Sequence, residues 1–93
     1  MQDPRAFCRS IMHEYERQWS RATGHGVRHP LRLKMETLKA WCDDETCTPA
    51  AFEARLIQGE SSDDARVALL AGELLPLWKT VQAGGRLPFR GDD

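Results

Sequence analysis

The sequence predicts an all-α fold, a compact bundle of four helices with short loops. Apolar residues recur at steps of three and four in four segments, and no segment shows the alternation typical of a strand. Gly, Pro and acidic residues separate these segments. With 93 residues and 41% hydrophobic content, the chain can bury one core. We therefore expect a single helical domain over residues 1–85 and a flexible C-terminal tail over residues 86–93.

The first helix is expected to run from Pro4 to about Ala22. Asp3 can cap the free amides of its first turn, and Pro4 has no amide donor that would go unpaired there. Gly24 then provides a C-terminal stop. The apolar stripe of this helix comprises Phe7, Cys8, Ile11, Met12, Tyr15, Trp19 and Ala22.

The second helix is expected over residues 31–42, after a loop over residues 24–29. Pro30 disfavours helical geometry at the residue before it and suits the opening turn of a helix. Leu33 falls outside the apolar face of this helix and marks a second contact surface. The apolar face itself comprises Leu31, Met35, Leu38, Trp41 and Cys42.

The third helix is short and follows Thr48 and Pro49, which repeat the signal of a cap followed by proline. It is expected to end at about Gln58, because Gly59 comes next.

The fourth helix is expected to begin after Ser61, which with Asp64 resembles a capping box, and to end before Gly84. Pro76 is expected to kink it. Apolar residues cover well over a third of its circumference, and its polar strip is narrow. This strip comprises Arg66, Glu73 and Thr80.

Charge is distributed unevenly along the chain although the net charge is −1. Residues 1–40 contain eight Lys or Arg and four acids, whereas residues 41–93 contain five and ten. Such a division favours a polar partner surface or head-to-tail self-association over uniform binding to a polyanion. The partners expected are a protein with an acidic surface and, as a further option, a second copy in a homodimer.

The compartment expected from the sequence is the cytoplasm, because the start lacks a secretory signal and no apolar run is long enough to span a membrane. Three cysteines without framework spacing are consistent with free thiols. Cys42 and Cys47 remain candidates for pairing under oxidising conditions.

A basic stripe on the first helix is the strongest surface feature of the sequence. Its members recur every four residues, and an acidic partner would relieve their mutual repulsion. The alternatives are an ordinary solvated face and an intramolecular match to the acidic second half. The candidate partner-binding residues, with extensions on and before the second helix, are Arg5, Arg9, His13, Arg17, Arg21, Arg28, Arg32 and Leu33.

DNA binding is the competing interpretation, with residues 31–58 forming a helix-turn-helix and a third helix that reads bases. This helix carries one basic residue, Arg55. The centre of the helix has no Asn or Gln, the residues that read adenine. An acidic turn precedes it. The composition therefore favours protein over nucleic acid.

Metal binding and catalysis find little support in the sequence. His25, His29, Cys42 and Cys47 carry zinc-ligating groups, but a helix of about 18 Å separates the histidines from the cysteines. The start of a zinc-protease motif at His13 lacks its second histidine. We expect no cofactor and a small non-catalytic adaptor or regulator that binds another protein, or itself, through the basic face of helix 1 and exposed apolar positions.

Overall fold

A computed structural model describes residues 3–44 and 47–88, without the side chains of His25 and Val27. These residues form four α-helices and no strand, which confirms the predicted all-α bundle. α1 packs on α2, α2 on α4, and α4 on α3. Phe89 and the rest of the predicted flexible tail to residue 93 lie outside the described residues. The helices are α1 Pro4–Arg21, α2 His25–Cys42, α3 Pro49–Glu60 and α4 Ala65–Gln82.

The starts of α1 and α3 follow the predicted capping pattern. Asp3 accepts a hydrogen bond from the backbone amide of Arg5 at 3.2 Å. The Thr48 hydroxyl accepts one from the amide of Ala51 at 3.2 Å. Both helices have proline at their first position, so at each start one free amide is capped and another is absent.

The start of α2 differs from the prediction. The loop expected over residues 24–29 is wrong, because α2 begins at His25 and contains Pro30. Gly24 is extended, and its carbonyl accepts the first helical hydrogen bond from the amide of Arg28 at 3.0 Å. Pro30 is the sixth residue of α2 and has no N–H, so the helix continues past it with one backbone hydrogen bond missing.

We had expected Gly59 to end α3, but it lies inside this helix and is buried. A Cβ at this position would lie 2.8 Å from Cβ of Ala71 and 3.2 Å from Cγ1 of Val67. Both neighbours belong to α4. Glycine is therefore required because α3 and α4 approach closely here, and not because the chain turns.

The start of α4 also lies later than predicted. The cap is Asp64 rather than Ser61, since its carboxylate accepts from the amide of Arg66 at 2.9 Å. α4 continues through Pro76 and ends before Gly84, whose φ of +89° favours glycine.

The Gly59→Ala substitution is expected to destabilise the domain, whereas Gly72→Ala is expected to stabilise it. Both positions are helical and gain about 1 kcal/mol from alanine's helix propensity. Only Gly59 adds a steric overlap, which costs about 1–3 kcal/mol; Gly72 has no atom within 4 Å of its added Cβ. Urea denaturation of the two variants measures the difference. Equal effects would contradict the close approach.

The core is organised around aromatic rings of all four helices. Phe52 of α3 lies 4.8 Å from Trp78, 5.9 Å from Phe7 and 6.1 Å from Trp41, centroid to centroid and edge to face. Phe52, Trp78 and Phe7 are each at most 1% exposed. These contacts unite the helices in one core.

Candidate functional site

A groove of about 370 Å³ lies between α1 and α2 on the surface of the bundle. Its floor is formed by the half-buried side chains of Met12 and Trp19 from α1 and Met35 from α2. Methionine adapts its shape to different apolar partners, and partly exposed tryptophan is enriched at interfaces. The rim residues are Arg32, Glu36 and Lys39 of α2.

A second depression of about 310 Å³ adjoins this groove. Trp19 and Arg32 line both, so the two form one continuous feature, which we call the α1–α2 groove. The second part is more polar than the first. Its remaining lining residues are Thr23, Gly24, Arg28 and His29.

Arg28 is held in a fixed position beside the groove. Its Nε donates to the carbonyl of Ala22 at 3.0 Å, and its guanidinium carbon lies 5.0 Å from the centre of the Trp19 ring. A cation over an indole ring is favoured electrostatically. The contact therefore places a positive charge next to the apolar floor.

The charges around the groove are predominantly positive. Arg32 pairs with Glu36 at 3.1 Å, but both side chains are more than half exposed, so the pair contributes little to stability. Lys39 is exposed and makes no ion pair with any other described residue. The side chains around the groove thus carry three cations and one carboxylate. The cations are Arg28, Arg32 and Lys39, and the carboxylate is that of Glu36.

The basic stripe predicted on α1 is not a single face in the structure. A step of four residues turns about 40° around a helix, so the five positions span about 160° of α1. Arg9, His13 and Arg21 are exposed, whereas Arg5 and Arg17 are half-buried. One flat partner would not reach all five.

Two members of the stripe have specific surroundings. Arg17 pairs with Glu14 at 2.9 Å, and the Nε of Arg5 is buried without a hydrogen-bond partner among the described residues. Hydrogen bonds from Gln18 and from Arg17 lower the pKa of the Glu14 carboxyl below its usual range. Arg17 therefore already forms an ion pair within α1 and is less available to a partner.

The apolar position predicted on α2 is less exposed than expected. Leu33 is half-buried, and the large apolar side chains that the structure exposes most among its described residues lie elsewhere. Ile57 of α3 is 51% exposed and Leu69 of α4 is 47% exposed. Of the predicted binding residues, the structure brings Arg28 and Arg32 together with apolar side chains.

α3 is poorly equipped to read DNA. Its only basic side chain, Arg55, pairs with Asp44 at 2.8 Å and lies 5.8 Å from the centre of the Trp41 ring. The exposed side of α3 is mostly small or apolar, and α3 packs mainly on α4. Its exposed interior positions are Ala50, Ala51, Ala54, Ile57 and Gln58.

A polar contact joins α2 to α4 on another side of the bundle. Lys34 donates to the Glu73 carboxylate at 2.7 Å, and its ammonium lies 4.9 Å from the centre of the Tyr15 ring. The Tyr15 hydroxyl is buried without a hydrogen-bond partner among the described residues.

Within residues 3–44 and 47–88, no group of three His, Cys, Asp or Glu side chains is placed to hold a metal ion. His29 and Cys42 lie on one continuous helix, α2. None of the described helices has the length and apolar character needed to cross a membrane.

Comparison with known proteins identifies no relative: the chain matches no protein-family model, no curated protein and no solved structure.

Proposed function

We propose that this protein is a non-catalytic helical binding module of the cytoplasm, whose α1–α2 groove receives an acidic, amphipathic helical segment of a partner protein. The observation that carries the proposal is an apolar floor of Met12, Trp19 and Met35 beside three cations. An amphipathic helix places apolar side chains at steps of three, four and seven, which suits a groove between two helices.

Charge complementarity selects an acidic partner over a basic one. Arg28 is already positioned by Trp19 and Ala22, so a carboxylate of the partner would meet it at small entropic cost. The exposed pair of Arg32 with Glu36 is weak enough to exchange for a pair with the partner. Such contacts give specificity and association rate, while the apolar floor contributes most of the affinity.

The proposal is tested by selecting binders from a displayed library of randomised helical peptides on the immobilised full-length chain. We expect the selected peptides to carry acidic residues together with apolar residues in helical register. Their dissociation constants are then measured by fluorescence anisotropy for four variants of the chain. The groove variants are Lys39→Glu and Met35→Glu, and their matched controls are Lys79→Glu and Ile57→Glu.

Each control makes the same chemical change away from the groove. Lys79 lies in the last turn of α4, as Lys39 does in the last turn of α2. Ile57 is an apolar residue on α3. We expect the groove variants to weaken binding at least about tenfold, and the controls to change it less than about twofold. Equal losses in variant and control would contradict the groove as the binding site.

The same protein samples also test two alternatives to the proposal, DNA binding and self-association. A labelled DNA duplex at low salt is expected not to bind, and an affinity that falls steeply with salt would support the nucleic-acid alternative. Native mass spectrometry is expected to show a 10.6 kDa monomer. A dimer disrupted by Met35→Glu would instead make a second copy of the chain the occupant of the groove.

A further inference from the structure

The polar part of the α1–α2 groove, the depression of about 310 Å³ at the start of α2, differs in composition from the apolar part. The described residues that line it include two arginines, Arg28 and Arg32, and no acidic residue. The exposed side chains of Thr23 and His29 line it as well. An anion in this depression would therefore meet hydrogen-bond donors and positive charge on its walls.

Arg28 is held in position by the protein itself. Its Nε donates to the carbonyl of Ala22 at 3.0 Å, and its guanidinium carbon lies 5.0 Å from the centre of the Trp19 ring. It forms no ion pair with any part of the chain that the structure describes. The charge of Arg28 is thus oriented but not neutralised. Arg32 can exchange its exposed pair with Glu36 for a stronger one.

The backbone at the start of α2 adds to the charge of these two arginines. Gly24 lines the depression and is the N-cap of α2, so no side chain caps the free amides of the first turn. That turn also contains no acidic residue. The partial positive charge of the helix dipole at this end is therefore available to an anion that the two arginines bind.

We propose that this depression, which we call the anion pocket, binds the phosphoryl group of a phosphoserine or phosphothreonine beside the apolar residues of the partner segment. The inference rests on the proposed function, since it takes the α1–α2 groove as the site of that segment. A phosphoryl group carries a charge of about −1.5 to −2 and three strong acceptor oxygens. A carboxylate has one charge and two oxygens, so two guanidinium groups favour the phosphoryl group.

The apolar floor indicates where the phosphoryl group comes from. Trp19 and Arg32 line both parts of the groove, so a ligand in the anion pocket lies next to that floor. A peptide can fill both parts at once, whereas a free phosphate ion would leave the floor unused. A membrane surface would instead require apolar side chains that project from the protein. Those of Met12 and Met35 are half-buried in the groove.

The first test uses the helical peptides selected on the chain, each with a serine or a phosphoserine added beyond one end or the other of its apolar stretch. Fluorescence anisotropy measures their Kd at constant ionic strength. We expect phosphoserine at one end to tighten binding at least about tenfold, and at the other end less than about threefold. The difference between the ends reports a defined pocket rather than overall charge.

The Arg28→Gln variant is expected to reduce this gain to less than about twofold, while Arg66→Gln retains it. Arg66 is a matched control, because it is also an exposed arginine in the first turn of a helix but pairs with Asp64. Neither exposed side chain belongs to the core, so both variants should fold. Comparing gains rather than affinities removes whatever Arg28 contributes to the unphosphorylated peptide.

A second test does not require the selected peptides. Spectra from ¹H–¹⁵N NMR of the full-length chain are recorded during titration with N-acetyl-O-phosphoserine amide, with N-acetylserine amide as the control ligand. We expect saturable shifts at the amides of residues 24–28 and at the Nε–H of Arg28, for the phosphorylated compound alone. Arg28→Gln should abolish the amide shifts, and Arg66→Gln should leave them unchanged.

The outcomes distinguish this inference from the proposed function. Equal gains in the natural chain and Arg28→Gln, or peptides that bind while residues 24–28 do not shift, would overturn the anion pocket alone. Shifts at residues 24–28 without any peptide in the groove would support the pocket and contradict the helical partner. Sedimentation with vesicles of phosphatidylcholine and phosphatidic acid, without a gain for any phosphopeptide, would overturn the inference in favour of a membrane.

Discussion

Replacing Phe52 with alanine is expected to lower the free energy of unfolding by about 3–5 kcal/mol. The ring is 1% exposed, and its removal leaves a cavity between α3 and the other helices. It also removes three edge-to-face contacts, each worth about 0.5–1.5 kcal/mol beyond the area buried. Because domains of this size are stable by only about 5–15 kcal/mol, such a loss unfolds a large fraction of the molecules on mild warming.

Urea denaturation followed by circular dichroism measures this effect, with Ile57→Ala as the matched control. Ile57 lies on the same helix but is 51% exposed, so its truncation should change stability by no more than about 0.5 kcal/mol. A similar loss in both variants would mean that Phe52 is not at the centre of the core.

Raising the pH above about 10 is expected to destabilise the domain progressively through Tyr15, by up to about 1.4 kcal/mol per pH unit. Burial, and then the charge of Glu73, raise the pKa of the Tyr15 hydroxyl above its ordinary value. The folded chain therefore keeps a proton that the unfolded chain releases. This stabilisation is complete below the ordinary pKa of about 10 and is lost as the pH rises from there towards the folded pKa.

The chain contains one tyrosine, so tyrosinate absorbance reports Tyr15 alone. We expect this absorbance to rise together with the loss of helical circular dichroism. Tyr15→Phe removes a hydroxyl without a hydrogen-bond partner among the described residues, and should remain folded to higher pH with little change at neutral pH. Tyrosinate forming near pH 10 in a chain that stays helical would contradict the burial of this hydroxyl.

The apolar spacing of the helices and the caps of α1 and α3 were predictable because they are local properties of the sequence. The apolar stripe of α1 follows directly from its spacing, and Asp3 and Thr48 act within three residues of their own positions. Pro30 and Gly59 were misassigned because each residue type has two uses. Whether Gly59 ends a helix or admits a neighbouring helix depends on Val67 and Ala71 of α4, which the local sequence pattern around Gly59 does not place.

The candidate site was only partly predictable for the same reason. Arg28 and Arg32 were recognised as basic residues near the first turn of α2, but Met12 and Trp19 were assigned to the core. Both lie at the edge of the apolar stripe, where exposure depends on how far the neighbouring helix covers it.

The proline inside α2 divides that helix into parts of unequal local stability. Because Pro30 donates no hydrogen bond, the turn before it is held by fewer backbone contacts than the turns after it. The stack of Arg28 on Trp19 fastens this turn to α1 from outside the core. We therefore expect the backbone amides of this turn to exchange with solvent faster than those around Met35, on the far side of Pro30.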